Sequence, residues 1–453
     1  MTPTAAASAV VVVGAGPAGH RLVERLRHHG HHGPVTLLGA EPVPPYNRAL
    51  LTSVLDGTLT PDALALPRLP GDTRLLTGVT VRRLDRLRRL VHTDDGAAHP
   101  YDVLVLATGA RPRHPGAPRT LTGTPAPTSR PGPAAVVGGG VHGVETALAL
   151  CRAGRPVTLV HPGPYPLGRF LDATAGALLA GRLAADGITL VPGRRAVVQR
   201  GGAPAGLVLD DGGTVPASTV LHCTGAAPRT RLARAAGLAV RRGVLVDDTL
   251  RTDDPRVHAL GDCAEHDGRV LAGLLAAFDQ ADVVARIVTG GPARYRPAPV
   301  QLRLKAPGLD LAVLGPPGAT GDETVVCADP ARARYARLVL RAGRVAGAQL
   351  LGLPHAVAAL TRLHDHALPV PEGRLDLLLG RPADTGAAPV DLPGTAVVCV
   401  CNGVTKDALL AACRGGARDL PALAAATRAT TGCGGCASDV RRICGAPPTP
   451  AAA

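Results

Sequence analysis

"AVVVVGAGPAGHRLVERL", residues 9–26, decides how the chain begins to fold. An apolar run leads into Gly14, Gly16 and Gly19, and apolar residues then recur at helical spacing. A short strand, a glycine turn and an amphipathic helix in that order open a doubly wound α/β domain that binds a dinucleotide. Gly14 permits the tight turn, Gly16 lets a pyrophosphate approach the backbone, and Gly19 allows close packing of helix on strand. The next strand, "PVTLLGAE" (34–41), ends in Glu41, where an acid can hold the hydroxyls of an adenosine ribose. The plainer alternative leaves Glu41 as a solvated turn residue.

The pattern recurs more than a hundred residues on. "AAVVGGGVHGVETALALCRAG" (134–154) sets Gly138, Gly140 and Gly143 between a strand and a helix, and "PVTLVHPG" (156–163) is the strand that follows. Two independent fingerprints mean two dinucleotides, which a simple dehydrogenase would not need. A flavin and a nicotinamide fit that requirement.

Composition narrows the rest. At 453 residues the chain is expected to hold roughly two to four domains. Hydrophobic content of 46% with 56 Gly and 43 Pro argues for a globular chain with many turns. The net charge is +14, and Lys305 and Lys406 are the only lysines among 49 basic residues. Aromatic residues make up 2%, and no basic block or recognition motif appears, so an acidic protein partner is expected rather than nucleic acid. The start, "MTPTAAASAVVVVGAGPAG", lacks the basic region of a signal peptide, and no apolar run reaches the length of a membrane span. A cytoplasmic protein without a membrane segment is expected, with its ten cysteines serving as ligands or buried thiols.

Other segments carry a family resemblance. "DVLVLATGARP" (102–112) and "STVLHCTGAAPRT" (218–230) resemble the two strand-then-ATG segments of FAD-dependent pyridine nucleotide reductases. "TDDPRVHALGDCAE" (252–265) resembles the segment in which an aspartate, here Asp262, binds the FAD ribityl chain. The resemblance also implies FAD contacts at Arg48, Val81, Thr108, Gly109 and Gly261, beside Gly14, Gly16, Gly19 and Glu41. At the nicotinamide site it adds Glu145 to Gly138, Gly140 and Gly143. "GLLAAFDQADVVARIV" (273–288) is similar to the helix whose N-terminus faces the flavin pyrimidine, where partial positive charge stabilises the reduced ring.

Within this family, "PPYNRALLTSVL" (44–55) and "GRFLDATAGALLAGRLAADGI" (168–188) look most like the N-terminal half of the NAD(P)H nitrite reductase large subunit. "QLRLKAPGLDLAVLG" (301–315) and "YARLVLRAGRVAGAQLLG" (335–352) extend the likeness into a small α+β domain. Ser53 stands where many ferredoxin reductases of the family carry a lysine near the flavin. Hydride transfer depends on alignment more than on an acid or base, and no catalytic side chain is assigned. His161 replaces the usual ribose-binding acid of the second site. Neither an acid nor paired arginines are present there, so the nicotinamide is NADH or NADPH, with NADH favoured. Cys151, Cys223, Cys263 and Cys327 are widely separated, which excludes the paired redox cysteines of disulfide reductases.

The tail differs. After a Pro/Gly/Ala linker, "RPADTGAAPVDLPG" (381–394), comes "VVCVCNGVTKDALLAACRGGARDLPALAAATRATTGCGGC" (397–436). Cys399 and Cys401 form C-x-C, and Cys433 and Cys436 form C-x2-C. Two short helices fit between the pairs, the first capped by Thr405. Zinc is a rival, although structural zinc prefers pairs separated by two to four residues. A [2Fe–2S] cluster takes four cysteines, two per iron. The segment closely resembles the bacterioferritin-associated ferredoxin-like domain, which carries cluster ligation onto Cys399, Cys401, Cys433 and Cys436. Cys413 and Cys444 match no ligand position. A flavin exchanges electrons in pairs with nicotinamide and singly with such a cluster, so the two parts explain each other. The arginines of residues 406–442 favour the reduced cluster and an acidic partner.

The expected organisation is α/β: two Rossmann-like dinucleotide domains, a small α+β domain and a small helical [2Fe–2S] domain. FAD binding falls in 1–120 and 246–292, NAD(P)H binding in 121–245, and the α+β domain in 293–380. A linker (381–396), the cluster domain (397–444) and a disordered tail (445–453) complete it. The C-x5-C and C-x3-C spacings of a sirohaem and [4Fe–4S] centre do not occur. The order of parts resembles the electron-transfer subunits of assimilatory nitrate reductase, which implies a molybdenum nitrate reductase catalytic subunit or similar redox acceptor as partner. Alternatives are a reductase for a separate nitrite reductase or ferredoxin-like acceptor, and an iron-mobilising cluster module that docks on ferritin-like shells. A dehydrogenase of the opine- or glycine-oxidising kind is disfavoured by the second fingerprint. "RHHGHHG" (27–33) is either a metal site or an ordinary histidine-rich helix end.

Overall fold

The valines of Val10–Val13 form a strand whose side chains are all buried, as a parallel strand covered on both faces requires. The computed structural model describes residues 7–113, 131–197, 206–270, 273–297, 301–304, 306, 308–316, 318–365, 367–379, 393–394, 396–399, 402–431 and 436–445. They fall into two units, the first Met1–Leu51, Leu59–Thr124 and Gly225–Pro297, the second Thr52–Thr58, Pro125–Thr224 and Ala298–Ala453.

In the first unit five parallel strands run in the order Val257–Ala259, Val103–Leu106, Val10–Val13, Val35–Gly39, Thr73–Thr77. Helices Pro17–His28 and Leu274–Val288 cover one face, with Leu22, Val23, Leu26, Val284 and Ala285 packed on Val10 and Val12. An antiparallel sheet of Val81–Asp85, Leu90–Thr93 and Ala98–Pro100 covers the other, bringing Leu84 and Val91 against Val11 and Val13. The first strand is central, so strand order reverses beside it and a crevice opens at the carboxyl ends.

The chain returns to this unit at Gly225, not at 246 as expected from the sequence. Ala226–Pro228 pairs antiparallel with Ala110–Pro112, and Ala233, Leu238 and Val244 enter the core that holds Leu104 and Val257. Strands of three residues are too short to show a period, which is why the sequence hid this return.

The second unit repeats the plan with four parallel strands, in the order Ile188–Pro192, Val157–His161, Ala134–Val137, Thr219–His222. Helices Val141–Arg152 and Ala173–Ala185 pack on them. Next comes a five-stranded antiparallel sheet, in the order Gln301–Arg303, Leu311–Leu314, Arg344–Leu351, Arg334–Arg341, Glu323–Asp329, covered by helix Pro354–Asp365. Asp172 ties the two parts together. One carboxylate oxygen accepts from the Ala175 N–H (2.9 Å) and so caps helix Ala173–Ala185; the other accepts from the Tyr335 hydroxyl (2.7 Å). Its own N–H donates to Gln349 Oε1 at 3.0 Å.

The C-terminal part is a small hairpin, Val397–Cys399 with Val404–Thr405, followed by helices Lys406–Arg414, Leu420–Thr427 and Ala437–Cys444. Leu409, Leu423 and Val440 are fully buried there. Thr405 caps the first helix by accepting from the Ala408 N–H at 3.3 Å, as its sequence position suggests; the third helix was not anticipated. Of the expected linker only 393, 394 and 396 are described, and of the expected tail only Gly445; the remainder lies outside the described residues. Among the described residues no helix is long and apolar enough to cross a membrane.

Tyr335→Phe deletes one hydrogen bond and is expected to cost about 1 kcal/mol. Asp172→Ala deletes that bond and the helix cap, and is expected to cost about 2 to 3 kcal/mol. Thermal unfolding should rank the midpoints wild type, Tyr335→Phe, Asp172→Ala; equal loss in both variants would contradict a shared clamp.

Candidate cofactor sites

Steric contact shapes the first glycine loop. Gly14 has φ +119°, and a Cβ there would lie 2.1 Å from the Ala107 carbonyl oxygen. A Cβ on Gly19 would lie 2.0 Å from the Gly14 carbonyl oxygen, so the helix sits directly against the turn. Gly16 differs: its backbone is extended (φ −74°, ψ −177°), and an added Cβ would meet nothing within 4 Å. Open space therefore faces the N-terminus of helix Pro17–His28, where a pyrophosphate fits.

Three distant segments meet at this edge. Gly14 lies against Ala107 and the Thr108 N–H, and Gly261 (φ +73°) lies against Ala18. The buried Gln280 accepts from the Gly261 N–H at 2.6 Å, which pins the turn carrying Asp262 to helix Leu274–Val288. Asp262 accepts from the Gly273 N–H at 3.2 Å, and burial raises its carboxyl above the ordinary range. Thr108 donates to the Arg229 carbonyl at 2.9 Å, and Gly109 follows at φ +68°. Glu41 lies just beyond strand Val35–Gly39, ion-paired with Arg48 and accepting from the Tyr46 hydroxyl at 2.9 Å. Burial pushes Tyr46 up to about 12, so it keeps the proton that it donates. Glu41 is thus held by two side chains rather than free in a turn. Val81 opens strand Val81–Asp85, paired with Thr93.

The second loop copies the first. Gly138 has φ +118°, and a Cβ there would lie 2.5 Å from the Cys223 carbonyl oxygen. A Cβ on Gly143 would lie 1.7 Å from the Gly138 carbonyl oxygen, while Gly140 (φ −78°, ψ 179°) faces open space. Glu145 is buried on helix Val141–Arg152. His161 is also buried, with its Cβ 2.9 Å from where a Gly139 side chain would begin, and desolvation lowers its pKa, leaving a neutral ring.

In the C-terminal domain Cys399 closes strand Val397–Cys399 and Cys436 immediately precedes helix Ala437–Cys444; both are buried. Their thiols meet. A hydrogen bond from Cys436 is the main cause that pulls Cys399 down to about 6, helped by backbone N–H groups of Thr430 and Asn402 and opposed by burial. The Asn402 side chain donates to the Arg428 carbonyl at 2.7 Å and lies 3.8 Å from Cys399 Sγ. An iron ligand must be a thiolate, and this pocket favours one. Cys401 and Cys433 lie outside the described residues. Sequence reasoning missed Asn402 and Gln280; the Asn-Gly step after C-x-C was a signal for the first, and nothing in the sequence marks the second.

The histidines of 27–33 do not assemble. His29 pairs with Asp282 at 3.1 Å and His31 is fully buried. Among the described residues no three His, Cys, Asp or Glu side chains are placed to hold a metal.

Comparison with known proteins agrees with this geometry. Residues 8–283 match the pyridine nucleotide-disulphide oxidoreductase family, and residues 397–445 match the BFD-like [2Fe-2S] binding domain. The chain is 31% identical to nitrite reductase [NAD(P)H] of Bacillus subtilis, over 96% of this chain and 57% of that protein. It is 30% identical to the assimilatory nitrate reductase electron transfer subunit of the same organism, over 94% of this chain and 58% of that protein. It therefore spans little more than half the length of these relatives. Among solved structures, the ferredoxin reductase for the CYP199A2 system from Rhodopseudomonas palustris superposes with a TM-score of 0.73 at 26% identity, covering 82% of this chain and 98% of that one. FAD, NAD(P)H and a [2Fe–2S] cluster are the cofactors these domains use. By the match across residues 8–283, the chain belongs to the pyridine nucleotide-disulphide oxidoreductase family.

Proposed function

We propose that this chain takes electrons from NADH or NADPH through FAD to its [2Fe–2S] cluster, and on to an acceptor centre outside these 453 residues, the molybdenum-containing catalytic subunit of an assimilatory nitrate reductase. The observation that carries the reading is the joining of two dinucleotide loops of matching backbone to a four-cysteine cluster domain. FAD supplies the exchange between a two-electron hydride donor and a one-electron cluster.

The residues divide the work. Gly14 and Gly19 shape the FAD loop, Gly16 admits the pyrophosphate, and Glu41, held by Arg48 and Tyr46, accepts the ribose hydroxyls. Asp262 receives the ribityl hydroxyls, and Val81, Thr108, Gly109 and Gly261 line the same edge. Gly138, Gly140, Gly143 and Glu145 do the corresponding work for the nicotinamide. Cys399, Cys401, Cys433 and Cys436 ligate the cluster. The likeness to the nitrate reductase subunit supports the acceptor, and the likeness to nitrite reductase supports a second reading, a separate nitrite-reducing acceptor. Assaying nitrate and nitrite reduction with each candidate acceptor added to the holoprotein separates the two.

Because a Cβ on Gly16 or Gly140 would meet nothing within 4 Å, Gly16→Val and Gly140→Val should both fold. Gly16→Val should purify without FAD. Gly140→Val should keep FAD but lose its bleaching by NAD(P)H, and loss of FAD from Gly140→Val would reverse the two assignments. Cys436→Ser should leave NAD(P)H reduction of FAD at near the normal rate while electron delivery to the acceptor collapses. Stopped-flow flavin bleaching beside acceptor turnover checks this, and retained turnover would mean that electrons leave from the flavin.

A further inference from the structure

We infer that Cys413 and Cys444, which match no ligand position, form a reversible disulfide that staples the first and third helices of the cluster domain. Cys413 lies in the last turn of helix Lys406–Arg414, and Cys444 is the last residue of helix Ala437–Cys444. Cys444 Sγ lies 3.9 Å from the carbonyl oxygen of Leu409, one turn before Cys413 on the same helix. The two thiols are hydrogen-bond neighbours, and both are half-buried, within reach of a small oxidant. Burial, then the Cys413 thiol beside it, pushes Cys444 up to about 12. It keeps its proton at neutral pH in these surroundings.

The oxidant is hydrogen peroxide, a by-product of flavin reoxidation by oxygen. The Cys413 sulfur attacks the O–O bond, which breaks to leave a sulfenic acid and release one water. The Cys444 sulfur then displaces the second water as the S–S bond forms. Two sulfurs give up two electrons, both thiol protons leave in the waters, and a dithiol reverses the reaction. The closed loop contains Cys433 and Cys436, so the bond restrains the segment that carries two of the cluster ligands.

Peptide mapping of the cluster-loaded full chain tests this. Cleavage after basic residues puts Cys413 in 407–414 and Cys444 in 443–453, apart from Cys433 and Cys436 in 429–441. After treatment with hydrogen peroxide, 407–414 should be joined to 443–453, and dithiothreitol should undo the link. Removal of iron by a chelator should slow by roughly tenfold in the oxidised wild type, but not in Cys444→Ser. Should Cys444→Ser fail to fold, Cys413→Ser makes the same comparison. Recovery of Cys413 and Cys444 as free thiols after treatment, or as links to peptide 429–441, would overturn the disulfide. An unchanged chelation rate in linked protein would overturn the stapling role.

Discussion

Two carbonyl oxygens, those of Ala107 and Cys223, govern both nucleotide sites, because each lies where a side chain on the adjacent loop glycine would have to go. Only glycine at 14 and 138, at φ +119° and +118°, lets the end of one strand come so close to the turn after its neighbour. At the first site that approach brings Thr108 to the loop, and Gly261 closes on Ala18 from the other side. Residues far apart in sequence thereby share one edge. Gln280 fixes the last of them by accepting from the Gly261 N–H in a buried position, where an unmet N–H would be costly.

The same backbone device serves different chemistry where the neighbouring strand ends. Beyond Val35–Gly39 stands Glu41, charged and held by Arg48 and Tyr46. At the end of Val157–His161 stands a buried histidine that desolvation keeps neutral. A carboxylate repels a 2′-phosphate and attracts ribose hydroxyls; a neutral buried imidazole does neither. Discrimination between NADH and NADPH is therefore not made by charge at that strand end, and the leaning to NADH gains no support from His161.

Local pattern carried the parts of the fold that local physics determines. The glycine loops, their helices and the Thr405 cap were legible, since each rests on neighbours within a few residues. Long-range closure was not. The return of the chain at Gly225 depends on Ala226–Pro228 pairing with Ala110–Pro112, a contact across more than a hundred residues with no periodic signature. Gln280 looks like any polar residue on an amphipathic helix until the Gly261 N–H is placed beside it. Helix Ala437–Cys444 is short and follows the last cysteine of the motif directly, and only Val440 and Ile443 mark its buried face in the sequence.

Cysteine chemistry in the last domain follows environment rather than position in the chain. Cys399 is surrounded by hydrogen-bond donors, from Cys436 and from the backbone at Thr430 and Asn402, and they stabilise the thiolate more than burial opposes it. Cys444 has the opposite surroundings, with burial and a neighbouring thiol that both favour the protonated form. Two sulfurs in one small domain are thus pushed in opposite directions, one down to about 6 and one up to about 12. The Thr430 N–H that supports the Cys399 thiolate comes from the turn after helix Leu420–Thr427, where Arg428 and Thr430 take left-handed conformations.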